Sequence, residues 1–195
     1  MAVYKCNIHV FNWLDMLLVA PLLLYRRLRY GYTFRRIPLA NSKKYAIVDP
    51  QDYYWLSQYT WLAEQTHYSY RAVRLLCRGR TSALVNMHRL IMNAPKHLFV
   101  DHINRNSLDN RRANLRLATH AQNCQNRTPS TRTGKTSKYK GVYWLRDRNK
   151  WRSCIRANNK YILLGQFNSE VEAAKAYDAA ARKYHGSFAS PNFQI

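Results

Sequence analysis

The sequence VDHINRNSLDNRRANLRLATHAQNCQN, residues 100–126, decides the predicted fold of the larger part of this chain. It begins inside KHLFVDHIN (96–104), an apolar run that predicts a strand leading into a loop. The loop, residues 104–114, is rich in Asn and Arg, which favour turns over a continuing strand. LRLA (115–118) predicts the returning strand of a hairpin. The Thr-x-x-Gln spacing that begins at Thr119 predicts a capped helix after the hairpin.

The charge of the whole chain indicates a polyanionic partner. The 195 residues contain 32 Lys and Arg but only 10 Asp and Glu, a formal net charge of +22 that internal ion pairs cannot cancel. Fifteen Tyr and five Trp are interleaved with this charge, so nucleic acid is favoured over an acidic protein surface. The composition alone leaves open a basic ribosomal-type protein that binds RNA.

Asp101 and His102 stand side by side where the predicted strand ends. Cleavage of a phosphodiester needs a base that activates water and a cation that offsets the charge of the transition state. Neighbours within a strand point to opposite faces, so this pair can cooperate only where the backbone turns. The following helix carries Asn123, whose amide oxygen is suited, with Asp101, to a hard metal that keeps water ligands.

Three segments resemble the HNH endonucleases of the phage and intron homing type. They are VDHIN (100–104), LDNRRANLR (108–116) and the Asn-x-x-Asn spacing of Asn123 and Asn126, and the resemblance extends over residues 35–127. Enzymes of this family fold the site as two antiparallel strands and a helix around one divalent metal. The resemblance therefore implies an enzyme that cuts double-stranded DNA.

The resemblance also assigns roles to five residues. It implies that His102 is the general base and that Asp101 and Asn123 are metal ligands. Asn114 corresponds to the central Asn that holds the long loop in shape, and His88 to an upstream histidine near the scissile phosphate. Four arginines beside the site are predicted phosphate contacts: Arg105, Arg111, Arg112 and Arg116.

Asn123 departs from the wider HNH pattern, because many relatives have a second metal-binding His at this position. An amide carries no charge, so the expected cation is magnesium or manganese rather than zinc. His120, three residues earlier, is left open as a rival ligand.

The last part of the chain predicts three short strands and one helix. YKGVYWL (139–145), WRSCIRA (151–157) and YILLGQF (161–167) are separated by polar turns, and a helix follows the Ser-x-x-Glu capping box at Ser169. These segments, with the EAAKAYD that follows (172–178), resemble the ethylene-response-factor DNA-binding domain of plants. The resemblance implies a three-stranded sheet that enters the major groove.

Alternation along residues 151–157 predicts which side chains of this sheet contact DNA. Ile155 should face the helix, so Arg152 and Arg156 should face the duplex. Further predicted DNA contacts are the phosphate anchors Arg146 and Arg148 and the two rings Trp144 and Trp151. For the two Trp rings, packing within the sheet is an equally open alternative. Tyr143 stands where the plant domains have a basic residue, so their base preference does not transfer.

The predicted class is α+β, with an N-terminal ββα-metal nuclease domain preceded by short strands and a C-terminal three-stranded antiparallel sheet on one helix. We expect an extension of unresolved role at residues 1–33, the nuclease domain at 34–128, a linker at 129–137 and the DNA-binding domain at 138–195. Met16–Leu24 is apolar but too short to cross a bilayer, and it lacks the preceding basic residues of a secretion signal. We therefore expect a cytoplasmic, monomeric protein at the DNA, without membrane contact.

These predictions together describe a metal-dependent homing-type endonuclease whose C-terminal domain binds and targets DNA. The alternative is a DNA-binding regulator with an inactive nuclease remnant. The presence of Asp101, His102, Asn114 and Asn123 together favours the enzyme.

Overall fold

The computed structural model describes residues 13–66, 69–78, 81–126 and 136–193. The chain is a mixed α/β protein with several small sheets. The helices are α1 (Trp13–Tyr30), α2 (Pro50–Ser57), α3 (Met87–Ile91), α4 (His120–Gln125) and α5 (Glu170–His185). The strands are β1 (Arg35–Pro38), β2 (Tyr45–Val48), β3 (Leu62–Gln65), β4 (Tyr70–Arg78), β5 (Thr81–Asn86), β6 (Phe99–His102), β7 (Leu115–Ala118), β8 (Val142–Leu145), β9 (Lys150–Ala157) and β10 (Lys160–Phe167).

The chain divides into two compact units. The first contains the described residues up to Lys96 together with His102–Leu117, and the second contains His97–Asp101 and the described residues from Ala118 onward. The predicted linker at 129–137 falls mostly outside the described residues. Its last two positions are folded in the second unit, where the Ser137 hydroxyl donates to Glu170 Oε1 at 2.7 Å.

The first unit contains two small antiparallel sheets, β1-β2 and β3-β4-β5. Helix α2 is not among the elements predicted from the sequence. Pro50 at its first turn explains its start, since proline lacks the amide hydrogen that a first turn leaves unbonded. Leu56 and Trp61 are fully buried, and the indole nitrogen of Trp61 donates to Leu56 O at 2.8 Å.

The apolar run Met16–Leu24 is part of helix α1, and Pro21 lies within that helix. Arg26 attaches the helix to the first unit, because its guanidinium donates to Phe34 O and lies 4.4 Å from the centroid of the Phe34 ring. Among the described residues, we find no helix with the length and apolar character that crossing a membrane requires. Residues 1–12 of the predicted extension lie outside the described residues.

The second unit contains the predicted three-stranded antiparallel sheet, with strand order β10-β9-β8, packed on helix α5. Ile155 packs on Tyr177 and on the small alanines of α5, as alternation predicted. Gly141 has φ +75°, and a Cβ there would lie 2.0 Å from Cδ2 of Tyr177. Only glycine therefore allows the chain to approach the helix this closely.

Two details of helix capping differ between the predicted sites. At Thr119 both bonds of the capping box are present, so this prediction is confirmed. At Ser169 the described cap is a single bond, in which the hydroxyl accepts from the Val171 amide at 3.2 Å. In α5 itself, Ala174 is fully buried, whereas Tyr184 is 40% exposed.

Candidate active site and nucleic-acid interface

The long loop after β6 is held in shape by Asn114. Its side-chain oxygen accepts from the Asn104 amide at 2.9 Å, and its Nδ2 donates to Asp109 O at 2.8 Å. Its own carbonyl accepts from the Ile103 amide at 2.9 Å. These three bonds join both ends of the loop through Asn114.

His102 is the last residue of β6 and is 8% exposed. Its Nε2 lies 3.4 Å from Oδ1 of Asn110, a residue that is fully buried. Its ring also meets the ring of His88 edge to face, with 5.2 Å between the centroids. Asn is common in loops, so no sequence pattern indicates a role for Asn110.

His88 lies on the short helix α3, and the structure places it beside His102. Burial lowers the pKa of His88 from its ordinary value to about 3, and the neighbouring His102, Arg71 and Arg89 lower it further. The ring is therefore neutral near pH 7. Its Nδ1 is buried without a hydrogen-bond partner among the described residues.

Asp101 belongs to the second unit, where Asn126 is its described partner. Nδ2 of Asn126 donates to both carboxylate oxygens, at 3.0 and 3.1 Å. Asn126 is the C-cap of helix α4, and Asn123 is three residues earlier, so both amides belong to the same side of that helix. His120, the rival ligand, is exposed and packs against the ring of Phe99 at 5.4 Å.

The donor chemistry around Asp101 fits a hard divalent cation. The buried carboxylate of Asp101 and the amide of Asn123 carry oxygen atoms, the ligand type that magnesium and manganese prefer. Within the described ranges, no group of three or more His, Cys, Asp or Glu side chains is arranged to hold a metal ion. A cation bound by one carboxylate and one amide would keep several water ligands, as magnesium commonly does.

Two of the four arginines predicted as phosphate contacts have internal carboxylate partners. Arg111 pairs with Asp109 through two bonds of 2.8 and 2.7 Å, and its guanidinium lies 3.3 Å from the Tyr32 ring centroid. Arg112 forms two bonds of 2.8 Å to Asp52. These arginines stabilise the loop, because each is held by a nearly buried carboxylate. Contact with phosphate stays a prediction for all four arginines, Arg105, Arg111, Arg112 and Arg116.

The C-terminal sheet has one face on helix α5 and one open face. The open face includes Tyr143, Leu145, Lys150, Arg152, Cys154, Arg156, Tyr161, Leu163 and Gln166. Arg152 lies opposite Tyr143 and Arg156 opposite Tyr161, with each guanidinium within 5.9 Å of its ring centroid. Arg152 and Arg156 thus lie on the face that the sequence predicts for DNA.

Trp144 and Trp151 belong to the other face of this sheet. They are paired across β8 and β9 with ring centroids 4.9 Å apart, and Trp151 packs on the buried cluster that contains Val142 and two alanines of α5. Both rings, with Thr136 and Arg146, line a shallow cleft of about 430 Å³. Both rings are half-buried, so they pack within the sheet in part, and their contact with DNA stays a prediction.

Comparison with known proteins identifies two families along this chain. A family model described as HNH endonuclease matches residues 87–125, and one described as AP2 domain matches residues 137–187. Protein 3.8 of Escherichia phage T7 is 35% identical over 98 residues, which cover 49% of this chain and 76% of the phage protein.

Two further relatives match different parts of the chain. An uncharacterized HNH endonuclease of Acanthamoeba polyphaga mimivirus is 32% identical over 114 residues, which cover 55% of this chain. An ethylene-responsive transcription factor of Arabidopsis thaliana is 44% identical over 61 residues, which cover 30% of this chain. The matched regions span 57% of the mimivirus protein and 14% of the plant factor.

Proposed function

Because the chain matches an HNH endonuclease domain and an AP2 domain, we propose that it is a metal-dependent endonuclease that cuts double-stranded DNA. The observation that carries this proposal is the occurrence of Asp101 and His102 at the end of β6, before a loop held by Asn114. A regulator with only a nuclease remnant would not need an intact base and carboxylate there. We further propose that the enzyme acts inside the cell, at the DNA.

The roles of the site residues follow from their chemistry. His102 takes a proton from the attacking water, and the neutral ring of His88 supports it without adding a competing positive charge. Asp101 and Asn123 would hold one divalent cation, magnesium or manganese. When bound, such a cation offsets negative charge on the transition state. The arginines beside the site contact phosphates near the cleaved bond: Arg105, Arg111, Arg112 and Arg116.

The AP2 domain directs the enzyme to its target site on DNA. Arg152 and Arg156 of the open face read the major groove, and Arg146 and Arg148 in the β8–β9 turn contact phosphates. The domain thereby holds the enzyme in one register on the duplex, which is what site-selective cutting of the homing type requires.

A plasmid-nicking assay tests the enzymatic proposal. The purified protein should convert supercoiled plasmid to nicked or linear DNA with magnesium or manganese, and not with a chelator. His102→Ala should lower the rate by about 10²- to 10⁴-fold, the usual contribution of a general base, while DNA affinity changes less than about twofold.

His97→Ala is the matched control, because it makes the same change at an exposed histidine. It should cut like the unaltered protein. Equal cutting by His102→Ala would exclude His102 as the base. Tight DNA binding with no cleavage under any divalent cation would favour the DNA-binding regulator.

A further inference from the structure

Helix α4 carries a pair of side chains with metal-binding atoms, besides the amide of Asn123. His120 and Cys124 are four residues apart, so they lie one above the other on the same side of the helix. Nε2 of His120 lies 3.9 Å from Sγ of Cys124. Cys124 is a free cysteine, and neither residue of this His120–Cys124 pair is buried. An imidazole nitrogen and a thiol sulfur are therefore close together and reachable from solvent.

The distance between these two atoms fits a single tetrahedral cation. Zinc binds sulfur at about 2.3 Å and imidazole nitrogen at about 2.0 Å, which places the two ligand atoms about 3.6 Å apart. The observed separation is slightly larger, and a small rotation of either side chain removes the difference. The same spacing on a helix holds zinc in sites built from two histidines four residues apart.

The ring of His120 is held on one side by Phe99. The two rings meet at 62°, with 5.4 Å between their centroids. Phe99 and Asp101 are two residues apart on β6, so they lie on the same face of the strand. Helix α4 contacts this face through His120 at Phe99 and through Asn126 at Asp101. The imidazole of His120 is therefore anchored at the end of α4 that is away from the Asn126–Asp101 contact.

We propose that His120 and Cys124 form a binding site for a thiolate-binding divalent cation of the zinc type, separate from the magnesium or manganese expected at Asp101 and Asn123. Magnesium does not suit the pair, because it takes oxygen ligands rather than thiolate. On binding, Cys124 releases its thiol proton to solvent, and His120 binds as the neutral imidazole. Two protein ligands leave the other two positions of the tetrahedron to water.

Cobalt(II), added alone to the reduced full chain, tests the site without any DNA. A thiolate bound to cobalt gives a charge-transfer band in the near ultraviolet, so the unaltered protein should show this band. Zinc should remove the band by competition, whereas an excess of magnesium should not. Cys124→Ser should lose the band. His120→Ala should weaken cobalt binding by at least about tenfold, since the loss of even an outer partner of a metal ligand costs this much.

Cys77→Ser is the matched control, because it makes the same change at an exposed free cysteine on β4. It should keep both the charge-transfer band and the cobalt affinity of the unaltered protein. A reduced, unaltered protein without the band would overturn the proposal, and this outcome stays decisive even if a variant does not fold. A band that persists at full strength in Cys124→Ser would overturn it as well.

The consequence of this site for cleavage rests on the proposed function. Asn123 is three residues from His120, so zinc at the pair adds positive charge beside the amide proposed for the catalytic cation. Zinc should therefore slow magnesium-dependent nicking by about tenfold or more, because two divalent cations this close repel each other. Cys124→Ser should cut like the unaltered protein without zinc and be inhibited much less with it.

The two measurements separate the metal site from the proposed function. A protein that shows the cobalt band but never cuts DNA would refute the proposed function and leave the metal site intact. A protein that cuts DNA but shows no band would refute the metal site alone. Equal inhibition of Cys124→Ser and the unaltered protein by zinc would refute the link between the site and cleavage.

Discussion

Acidification should destabilise the first unit through His88. Burial lowers the pKa of this imidazole from 6.5 to about 3, so between these two pH values the unfolded chain binds a proton that the folded protein does not. Burial of His88 therefore does not reduce the free energy of unfolding above pH 6.5. The reduction grows as the pH falls towards 3. The sign is the one expected for a base that is buried in its neutral form.

The size of the effect follows from the shift. Each pKa unit corresponds to about 1.4 kcal/mol, so a shift of this size costs at most roughly 5 kcal/mol at the acidic end. The ring is only half-buried and keeps some contact with water, and we therefore expect a loss of about 2 to 5 kcal/mol. A loss of this size is a large fraction of the total stability of an ordinary domain.

Urea unfolding of the full chain at a series of pH values, with and without His88→Gln, isolates this contribution. The unaltered protein should lose more stability than the variant as pH falls from 6.5 to 3, because glutamine does not titrate. His97→Gln, at an exposed position, should follow the unaltered protein. Parallel curves for the unaltered protein and His88→Gln would refute the reasoning, as would an NMR titration of His88 with an ordinary pKa.

Two further predictions concern the second unit and its open face. Gly141→Ala should destabilise this unit by about 2 to 4 kcal/mol in thermal unfolding, since the added Cβ would lie 2.0 Å from Tyr177 and 2.7 Å from Cys154 O. Gly31→Ala, also at positive φ but with no atom within 4 Å of the added Cβ, should cost only about 1 kcal/mol, and equal losses would contradict the packing argument. Arg152→Ala and Arg156→Ala should each weaken duplex binding by about 1 to 3 kcal/mol in a fluorescence anisotropy titration. Arg182→Ala removes the same charge from an exposed position on α5 and should have a smaller effect; an effect of the same size would indicate that only net charge matters.

Most of the predicted elements follow from local sequence patterns. The alternation of WRSCIRA orients Ile155 and Arg156, and the Thr-x-x-Gln spacing starts helix α4, because both depend on residues close together in the sequence. Helix α2 was not predicted, because its local sequence lacks such a pattern. Its aromatic composition indicates a buried segment, while Pro50 alone marks its beginning.

The sequence by itself determined the order of the strand, loop, strand and helix over residues 96–126 and of the C-terminal strands and helix, the two family resemblances, and the identity of the candidate base and carboxylate. Only the tertiary structure decided the partners of these side chains: Asn126 for Asp101, Asn110 and His88 for His102, and Asp52 for Arg112. The physical reason is that burial and hydrogen bonding depend on segments that are distant in the sequence, and Arg112 lies 60 residues from Asp52. Residue type and spacing show which groups can ionise, donate or accept, whereas packing decides which of them meet.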